Sequence, residues 1–221
     1  MQFEAILFDC DGVLVDSEAI TNTVLCGMLN ESGWPISPEE CMRVFIGRTV
    51  RSEAARIEAA TGKALTDEWM AAFYERRNEQ LRAQLLAIDG ALDAVQAAHR
   101  LMQGRIAVAS GADRFKVEMQ LTQVGMAPYF EGKVFSGHET PRSKPFPDVY
   151  LAAAAALGVA PGRCLVIEDS VPGIEAGLAA GATVWGYCPD PVLHATPQML
   201  LDAGVARVMR SMGELPALLG A

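Results

Sequence analysis

Six short stretches of the sequence consist mainly of apolar and β-forming residues. They are Phe3–Phe8, Arg105–Ala109, Lys133–Phe135, Cys164–Ile167, Thr183–Tyr187 and Ala206–Met209. Several of them show no alternation of apolar and polar residues, which is typical of strands buried on both faces in a parallel sheet. This feature constrains the fold most, because a parallel sheet needs a covering layer of helices and long connections between its strands.

The segments between these stretches supply helical patterns that end at glycine. Three examples are 115–124 before Gly125, 148–157 before Gly158 and 173–180 before Gly181. Glycine suits the left-handed conformation that commonly follows the last turn of a helix. Strand, helix and glycine in repeated order predict an α/β fold with a Rossmann-like, doubly wound parallel sheet.

Residues 18–86 break this order, because they contain no β-type stretch. Ser37-Pro38-Glu39-Glu40 has the pattern of a helix start, with a capping hydroxyl, proline in the first turn and a glutamate three residues after the cap. Thr66-Asp67 is a second start. We therefore predict a domain of about four α-helices at 18–86, inserted into an α/β core formed by 1–17 and 87–221.

The composition indicates a globular chain that binds neither nucleic acid nor an anionic membrane surface. The 221 residues are 51% hydrophobic and carry a net charge of −9, from 27 acidic and 18 basic residues. The apolar fraction excludes a disordered chain, and the acidic balance opposes binding to nucleic acid or to an anionic membrane surface. No apolar run is long enough to span a membrane and no leader pattern stands at the start, so we expect a cytoplasmic protein.

The five cysteines are too scattered for a metal or disulfide framework. They are Cys10, Cys26, Cys41, Cys164 and Cys188, with no C-x-x-C pair among them. We expect reduced, buried thiols.

Acidic residues follow two of the predicted strands. Asp9, Asp11 and Asp16 follow the first strand, and Glu168 and Asp169 follow the fourth. Aspartates are also common in turns and caps, but two acidic groups at the ligand-binding edge of one parallel sheet favour a cation between them. Oxygen ligands without histidine or cysteine favour Mg²⁺ over zinc or copper.

Two further strand ends carry donors for an anion. Ser110-Gly111 follows the second strand, and Lys144 lies beyond the third. A hydroxyl, a backbone N–H and an ammonium are the groups that stabilise a transferring phosphoryl group. Taken alone, Ser110 also fits a helix N-cap and Lys144 a solvated surface lysine, but their joint placement favours the site.

Together these segments resemble the four motifs of the haloacid dehalogenase-like hydrolase superfamily, in order and along the whole core. The motif residues are Asp9-x-Asp11-Gly12-x-Leu14-x-Asp16-Ser17, Ser110-Gly111, Lys144-Pro145-x-Pro147-Asp148 and Glu168-Asp169-Ser170-x-x-Gly173. The helical insertion after the first motif resembles the branch with an α-helical cap, which includes sugar-phosphate phosphatases and β-phosphoglucomutase.

The resemblance implies phosphoryl transfer through an aspartyl phosphate. Asp9 would be the nucleophile, and Asp11 would protonate the leaving oxygen and then accept a proton from water. Mg²⁺ would be held by the Asp9 carboxylate, the Asp11 backbone carbonyl and Asp169, with Glu168 acting through a bound water.

The same resemblance assigns the anion-binding groups. Ser110, the Gly111 N–H and Lys144 would neutralise the phosphoryl oxygens. Asp16 could serve the hinge or a turn rather than the chemistry.

Three alternatives differ in activity. Dehalogenases of the superfamily lack the second aspartate of the first motif, so Asp11 argues against dehalogenation. β-Phosphoglucomutase has histidine where Thr21 stands and arginine where Val50 stands, which weakens a mutase function. A non-catalytic phosphoryl-binding module would lack both Asp11 and the cap.

The sequence defines the substrate less well than the reaction. Residues 45–51 are the specificity segment by position, and Arg48 or Arg51 could bind a second anionic group. Both could equally be solvated arginines on a helix surface. We expect an Mg²⁺-dependent phosphatase of small phosphorylated metabolites, either sugar phosphates or phosphorylated sugar acids; the sequence does not indicate the oligomeric state.

Overall fold

The chain divides into two compact units. The computed structural model describes residues 3–45, 48–189 and 195–220. One unit comprises Met1–Asp16 and Leu86–Ala221, and the other comprises Ser17–Leu85. We call them the sheet unit and the helical unit.

The helical unit contains four α-helices within its described residues. They are α1 (Glu18–Glu31), α2 (Pro38–Phe45), α3 (Ala54–Thr61) and α4 (Asp67–Gln84). The Ser37 hydroxyl accepts a hydrogen bond from the Glu40 N–H at 3.2 Å, and the Thr66 hydroxyl accepts one from the Trp69 N–H at 3.2 Å. Both helix starts predicted from the sequence are therefore confirmed.

The sheet unit contains a parallel sheet of six strands with the order β3-β2-β1-β4-β5-β6. The strands are β1 (Ala5–Phe8), β2 (Ile106–Ser110), β3 (Val134–Ser136), β4 (Cys164–Glu168), β5 (Thr183–Tyr187) and β6 (Arg207–Met209). All six predicted strands are present, and the α/β doubly wound fold is confirmed.

Burial explains why the central strands lack alternation. Every residue of β1, β2 and β4 is buried. In β1, Leu7 packs in an apolar cluster with Ala107 and Val166. The ring of Phe8 packs edge-on against that of Phe130, with the two ring centres 6.1 Å apart. Adjacent residues of a strand point to opposite faces, so helices must cover both sides of this sheet.

Six α-helices connect and cover these strands in the described part of the sheet unit. They are α5 (Ala91–Leu101), α6 (Arg114–Gln123), α7 (Asp148–Ala156), α8 (Val171–Ala179), α9 (Pro197–Asp202) and α10 (Leu215–Leu218). Gly125, Gly158 and Gly181 follow α6, α7 and α8 with φ of 74°, 65° and 86°. These left-handed glycines confirm the predicted helix ends.

The strand register brings the polar residues at the carboxyl ends of β1, β2 and β4 to one edge of the sheet. Phe8 lies opposite Val108 of β2 and opposite Ile167 of β4. Asp9 therefore leaves the sheet at the level where β2 approaches Ser110 and β4 reaches Glu168. In parallel α/β sheets this carboxyl edge is the usual place for a ligand site.

Two further expectations concern the cysteines and membranes. All five cysteines are free and buried, as the sequence predicts. Within residues 3–45, 48–189 and 195–220, none of the helices combines the length and the apolar character that a membrane crossing requires.

Leu7→Ala tests the dependence of the sheet unit on its central strand. Leu7 is 1% exposed, so we expect the free energy of unfolding to fall by about 2–5 kcal/mol, through lost burial and the cavity left behind. Leu86→Ala is the matched control because Leu86 is 70% exposed, and its effect should stay within about 0.5 kcal/mol. Chemical denaturation followed by fluorescence measures both, and equal losses would contradict the prediction.

Candidate active site

Asp9 lies at the carboxyl end of β1 with its carboxylate buried. Its N–H donates to the Ile167 carbonyl at 3.0 Å, which extends the β1–β4 ladder by one residue and fixes the backbone. Its Oδ1 accepts a hydrogen bond from the Lys144 Nζ at 2.6 Å. The strand therefore holds the carboxylate in place while the lysine balances its charge.

Lys144 lies between two carboxylates. Besides Asp9, its Nζ contacts the Glu168 Oε1 at 2.6 Å, and only 9% of its side chain is exposed. The ammonium also lies 4.9 Å from the centre of the Tyr150 ring. The alternative of a solvated surface lysine is therefore wrong.

Glu168 accepts hydrogen bonds on both of its carboxylate oxygens. Its Oε1 accepts from Lys144 and from the Tyr150 hydroxyl at 2.7 Å. Its Oε2 accepts from the Asp169 N–H at 3.0 Å, the Ser170 N–H at 3.2 Å and the Ser170 hydroxyl at 3.0 Å. Five donors hold this fully buried carboxylate, and it in turn holds Lys144 in place.

Two glycines give the acidic groups the space they occupy. Gly12 has φ of 78°, and a Cβ there would overlap the Asp169 carboxylate. A Cβ on Gly173 would overlap the Glu168 carboxylate. Each glycine is therefore required by a close approach to a site carboxylate.

The buried carboxylates fit a hard divalent cation. Asp9, Glu168 and Asp169 each offer an oxygen, and these atoms lie within 4.8 Å of one another. Burial raises the pKa of Asp9 well above its usual value, Lys144 partly opposes this, and the negative charges of Glu168, Asp169 and Asp11 add to it. A cation would favour the ionised form, and all-oxygen ligands suit Mg²⁺.

The same neighbouring carboxylates also change the pKa of Lys144. Burial alone would lower the pKa of its ammonium, but Asp9 and Glu168 outweigh burial and raise that pKa well above its usual value. The lysine therefore stays charged near neutral pH and can still bind an anion.

Asp11 contacts α6 through two side chains that the sequence analysis did not identify. Its Oδ1 accepts from the Lys116 Nζ at 2.7 Å and from the Gln120 Nε2 at 2.9 Å. Lys116 and Gln120 are one helical turn apart, so both face the same way along α6. This spacing, on the helix that follows the Ser110 strand end, shows in the sequence that the two residues share a face, but it does not show which residue that face contacts.

Ser110 is the last residue of β2 and is buried. Its hydroxyl oxygen accepts a hydrogen bond from the Ala112 N–H at 3.0 Å, and Gly111 lies between the two. Asp113 caps α6, since its side chain accepts from the Lys116 N–H at 2.9 Å. The alternative that Ser110 is the helix cap is therefore wrong.

Arg48 and Arg51 belong to the helical unit and form ion pairs within it. Arg48 contacts the Glu53 Oε1 at 2.7 Å, and Arg51 contacts the Asp67 Oδ1 at 2.6 Å. Both arginine side chains are more than half exposed. Residues 46 and 47 of the predicted specificity segment lie outside the described residues.

Lys144→Met tests whether the ammonium compensates the buried carboxylates. In the presence of chelator, we expect the free energy of unfolding to fall by about 3–5 kcal/mol, because Asp9 and Glu168 lose their shared buried counter-charge. Arg163→Met is the control: it removes the partner of Glu4 from an exposed ion pair and should cost at most about 1 kcal/mol. Urea denaturation compares the two, and a similar small loss for both would contradict the prediction.

Known proteins are similar to this chain in both sequence and fold. The family model described as "Hydrolase: haloacid dehalogenase-like hydrolase" matches residues 3–181. The chain is 32% identical over 193 residues to 6-phosphogluconate phosphatase of Escherichia coli, covering 86% of this chain and 85% of that protein. It is 29% identical over 183 residues to validoxylamine A 7'-phosphate phosphatase of Streptomyces hygroscopicus, covering 81% and 83%.

Two solved structures give the same result for the whole chain. A haloacid dehalogenase-like protein of unknown function from Agrobacterium tumefaciens superposes with a TM-score of 0.81 at 35% identity, covering 98% of this chain and 97% of that one. A hydrolase of the same family from Deinococcus radiodurans, solved with bound phosphate and sodium, gives 0.78 at 34% identity, covering 99% and 95%. The chain therefore belongs to the haloacid dehalogenase-like hydrolase family, as an enzyme of its phosphatase class.

Proposed function

We propose that this enzyme is an Mg²⁺-dependent phosphatase of small phosphorylated metabolites, acting through an aspartyl phosphate on Asp9. The observation that supports it most is the buried ion-pair chain of Asp9, Lys144 and Glu168 at the carboxyl edge of the sheet, with Asp11 two residues beyond the nucleophile. A nucleophile, a fixed cation and a proton-transfer group are the parts that phosphoryl transfer to a carboxylate requires.

In the first half-reaction, Asp9 attacks phosphorus and forms an acyl phosphate. The bond between phosphorus and the ester oxygen breaks at the same time, and that oxygen receives a proton from the Asp11 carboxylic acid. The dephosphorylated alcohol leaves, while Asp11 is left as a carboxylate.

In the second half-reaction, water attacks the phosphorus of the aspartyl phosphate. Asp11 accepts a proton from this water, the bond between phosphorus and the Asp9 oxygen breaks, and inorganic phosphate leaves. Asp9 and Asp11 then have the protonation states with which they started.

The metal would be held by the Asp9 carboxylate, the Asp11 backbone carbonyl and Asp169, with Glu168 acting through a bound water. When bound, Mg²⁺ offsets negative charge on the phosphoryl oxygens and on the crowded carboxylates. Glu168 suits an indirect role because its oxygens already accept five hydrogen bonds.

Lys144, Ser110 and the Gly111 N–H would bind the phosphoryl oxygens. Lys144 keeps its position when Asp9 becomes phosphorylated, because Glu168 still holds its ammonium. Ser110 keeps its hydroxyl proton for a ligand, since the Ala112 bond uses only its oxygen as acceptor. Donors fixed in advance need no rearrangement when charge develops in the transition state.

The inserted helices, predicted as a cap over 18–86 on a core of 1–17 and 87–221, would select the substrate. We propose sugar phosphates or phosphorylated sugar acids. The likeness to 6-phosphogluconate phosphatase supports a sugar acid. Arg48 and Arg51 are the candidate groups for its carboxylate. Arg51 pairs with the exposed Asp67 and could exchange it for the ligand's carboxylate, whereas Arg48 pairs with the buried Glu53.

Phosphate release tests the proposed reaction. The assay covers phosphorylated sugars, sugar acids and nucleotides, with Mg²⁺ or with chelator. Wild type should release phosphate only with the metal, and Asp9→Asn should lower the rate by about 10⁴-fold or more because the nucleophile is lost. Asp93→Asn, an exposed acid in the first turn of α5, should retain wild-type activity.

Three results would contradict this proposal. Turnover in chelator would exclude the metal requirement, and full activity of Asp9→Asn would exclude the aspartyl phosphate. If the wild type released no phosphate but converted β-glucose 1-phosphate to an isomer, the enzyme would be a mutase.

Arg51→Ala tests the proposed carboxylate anchor. For 6-phosphogluconate we expect KM to rise by about tenfold, because one charge-assisted hydrogen bond is lost, whereas KM for glucose 6-phosphate should hardly change. Arg76→Ala is the control, since Arg76 is also an exposed arginine of the helical unit that pairs with a carboxylate, that of Glu31. If KM for both substrates changed in the same proportion, Arg51 would not be the anchor.

A further inference from the structure

Lys116 and Gln120 of α6 place two donors on one oxygen of Asp11. The Lys116 Nζ lies 2.7 Å and the Gln120 Nε2 lies 2.9 Å from Asp11 Oδ1. Only 7% of the Lys116 side chain is exposed, and Gln120 is fully buried. Neither residue belongs to the motifs that led to the proposed function.

The rest of α6 fixes both donors. Asp113 caps the helix at the Lys116 N–H, so the lysine lies in a turn with a defined start. Val117 and Leu121, each next to one of the two donors along the helix, are buried in the sheet unit. A helix anchored by its cap and by its apolar face keeps its polar side chains at defined positions.

Cys10 fixes the orientation of the Gln120 amide. The Cys10 thiol lies 3.6 Å from Gln120 Oε1 and is the donor of this pair, so the amide oxygen faces Cys10. The amide nitrogen then faces Asp11, where an acceptor is required. Cys10 directly precedes Asp11 in the first motif, so two successive residues of this motif contact α6.

We propose that Lys116 and Gln120 are positioning residues that hold the Asp11 carboxylate in the orientation from which it exchanges a proton with the substrate oxygen. This inference rests on the proposed function, in which Asp11 is the acid and base. Two donors on Asp11 Oδ1 restrict rotation of the carboxylate. Rotation of the Asp11 side chain would otherwise separate it from the reacting oxygen.

The chemistry of the leaving group provides a specific readout. An alkoxide leaving from a sugar phosphate needs a proton from Asp11 as the bond to phosphorus breaks. A 4-nitrophenolate needs little protonation, because its negative charge is already well stabilised. The value of kcat/KM covers the steps up to formation of the aspartyl phosphate, so the ratio of kcat/KM for the two substrates reports proton delivery.

Lys116→Met removes the ammonium and keeps an unbranched apolar side chain for the buried space. We expect kcat/KM for 6-phosphogluconate, or for the best sugar phosphate found, to fall by about 30-fold or more. For 4-nitrophenyl phosphate the fall should be about threefold or less. A purely structural role would lower both values by the same factor, and that result would overturn the inference.

A double-mutant cycle with Asp11→Asn shows whether Lys116 acts through Asp11. Once Asp11 is an asparagine, adding Lys116→Met should lower kcat/KM for the sugar phosphate by less than about twofold, because the group it positions is already lost. An undiminished further loss of about 30-fold would overturn the inference.

Lys133→Met is the matched control. Lys133 is a partly buried lysine before β3 whose Nζ donates to the Gly104 carbonyl at 2.8 Å, and Gly104 precedes β2. Both residues lie at the amino ends of strands, away from the carboxyl edge. The leaving-group ratio should stay at the wild-type value, and a change as large as that of Lys116→Met would overturn the inference.

Gln120→Met provides a second variant if Lys116→Met does not fold. It removes one neutral donor, so the ratio should fall by about three- to tenfold, and an unchanged ratio would overturn the inference. If the wild-type enzyme needs Mg²⁺ and Asp9 but the α6 substitutions leave the ratio of the two kcat/KM values unchanged, only this inference is refuted. A wild type without metal-dependent phosphate release would refute the proposed function itself.

Discussion

The arrangement of the candidate active site depends on one buried ammonium, that of Lys144, between the carboxylates of Asp9 and Glu168. Two carboxylates this close repel one another in an apolar environment, and each would lose charge without a counter-ion. Lys144 stabilises both, and Tyr150 and the backbone after β4 complete the hydrogen bonding of Glu168. The parallel sheet makes this possible, because β1 and β4 are neighbours that end at the same level.

The sequence predicted the sheet well because burial leaves a local signal. Residues of β1, β2 and β4 are buried on both faces, so their apolar runs stand out without alternation. Helix ends also leave a local signal in the sequence. A position with a left-handed backbone conformation, such as that of Gly125, strongly favours glycine. Lys144 could be identified only jointly with the other strand ends, because a single lysine in a loop is more often solvated.

Contacts between distant parts of the chain were harder to predict from the sequence. Lys116 and its partner Asp11 are 105 residues apart, and a lysine in the first turn of a helix usually faces solvent. Tyr150 lies within an alanine-rich helical pattern that predicts packing, and nothing local indicates that its hydroxyl donates to Glu168. Such pairings follow from the packing of α6 and α7 on the sheet, which the local sequence does not encode.

In the proposed function, burial separates the residues that would determine the reaction from those that would determine the substrate. Lys144 is buried and cannot leave Glu168 without creating an uncompensated buried charge, so in the proposed reaction the fold would fix the position of the phosphoryl group. Arg51 pairs with Asp67 at an exposed position, where water can replace either partner. Arg51 could therefore exchange Asp67 for a ligand carboxylate at little cost, and in the proposed function a substitution there would alter selectivity without disturbing the chemistry. In the proposed function, substrate choice thus depends on an exposed, replaceable ion pair, while phosphoryl transfer depends on buried ones.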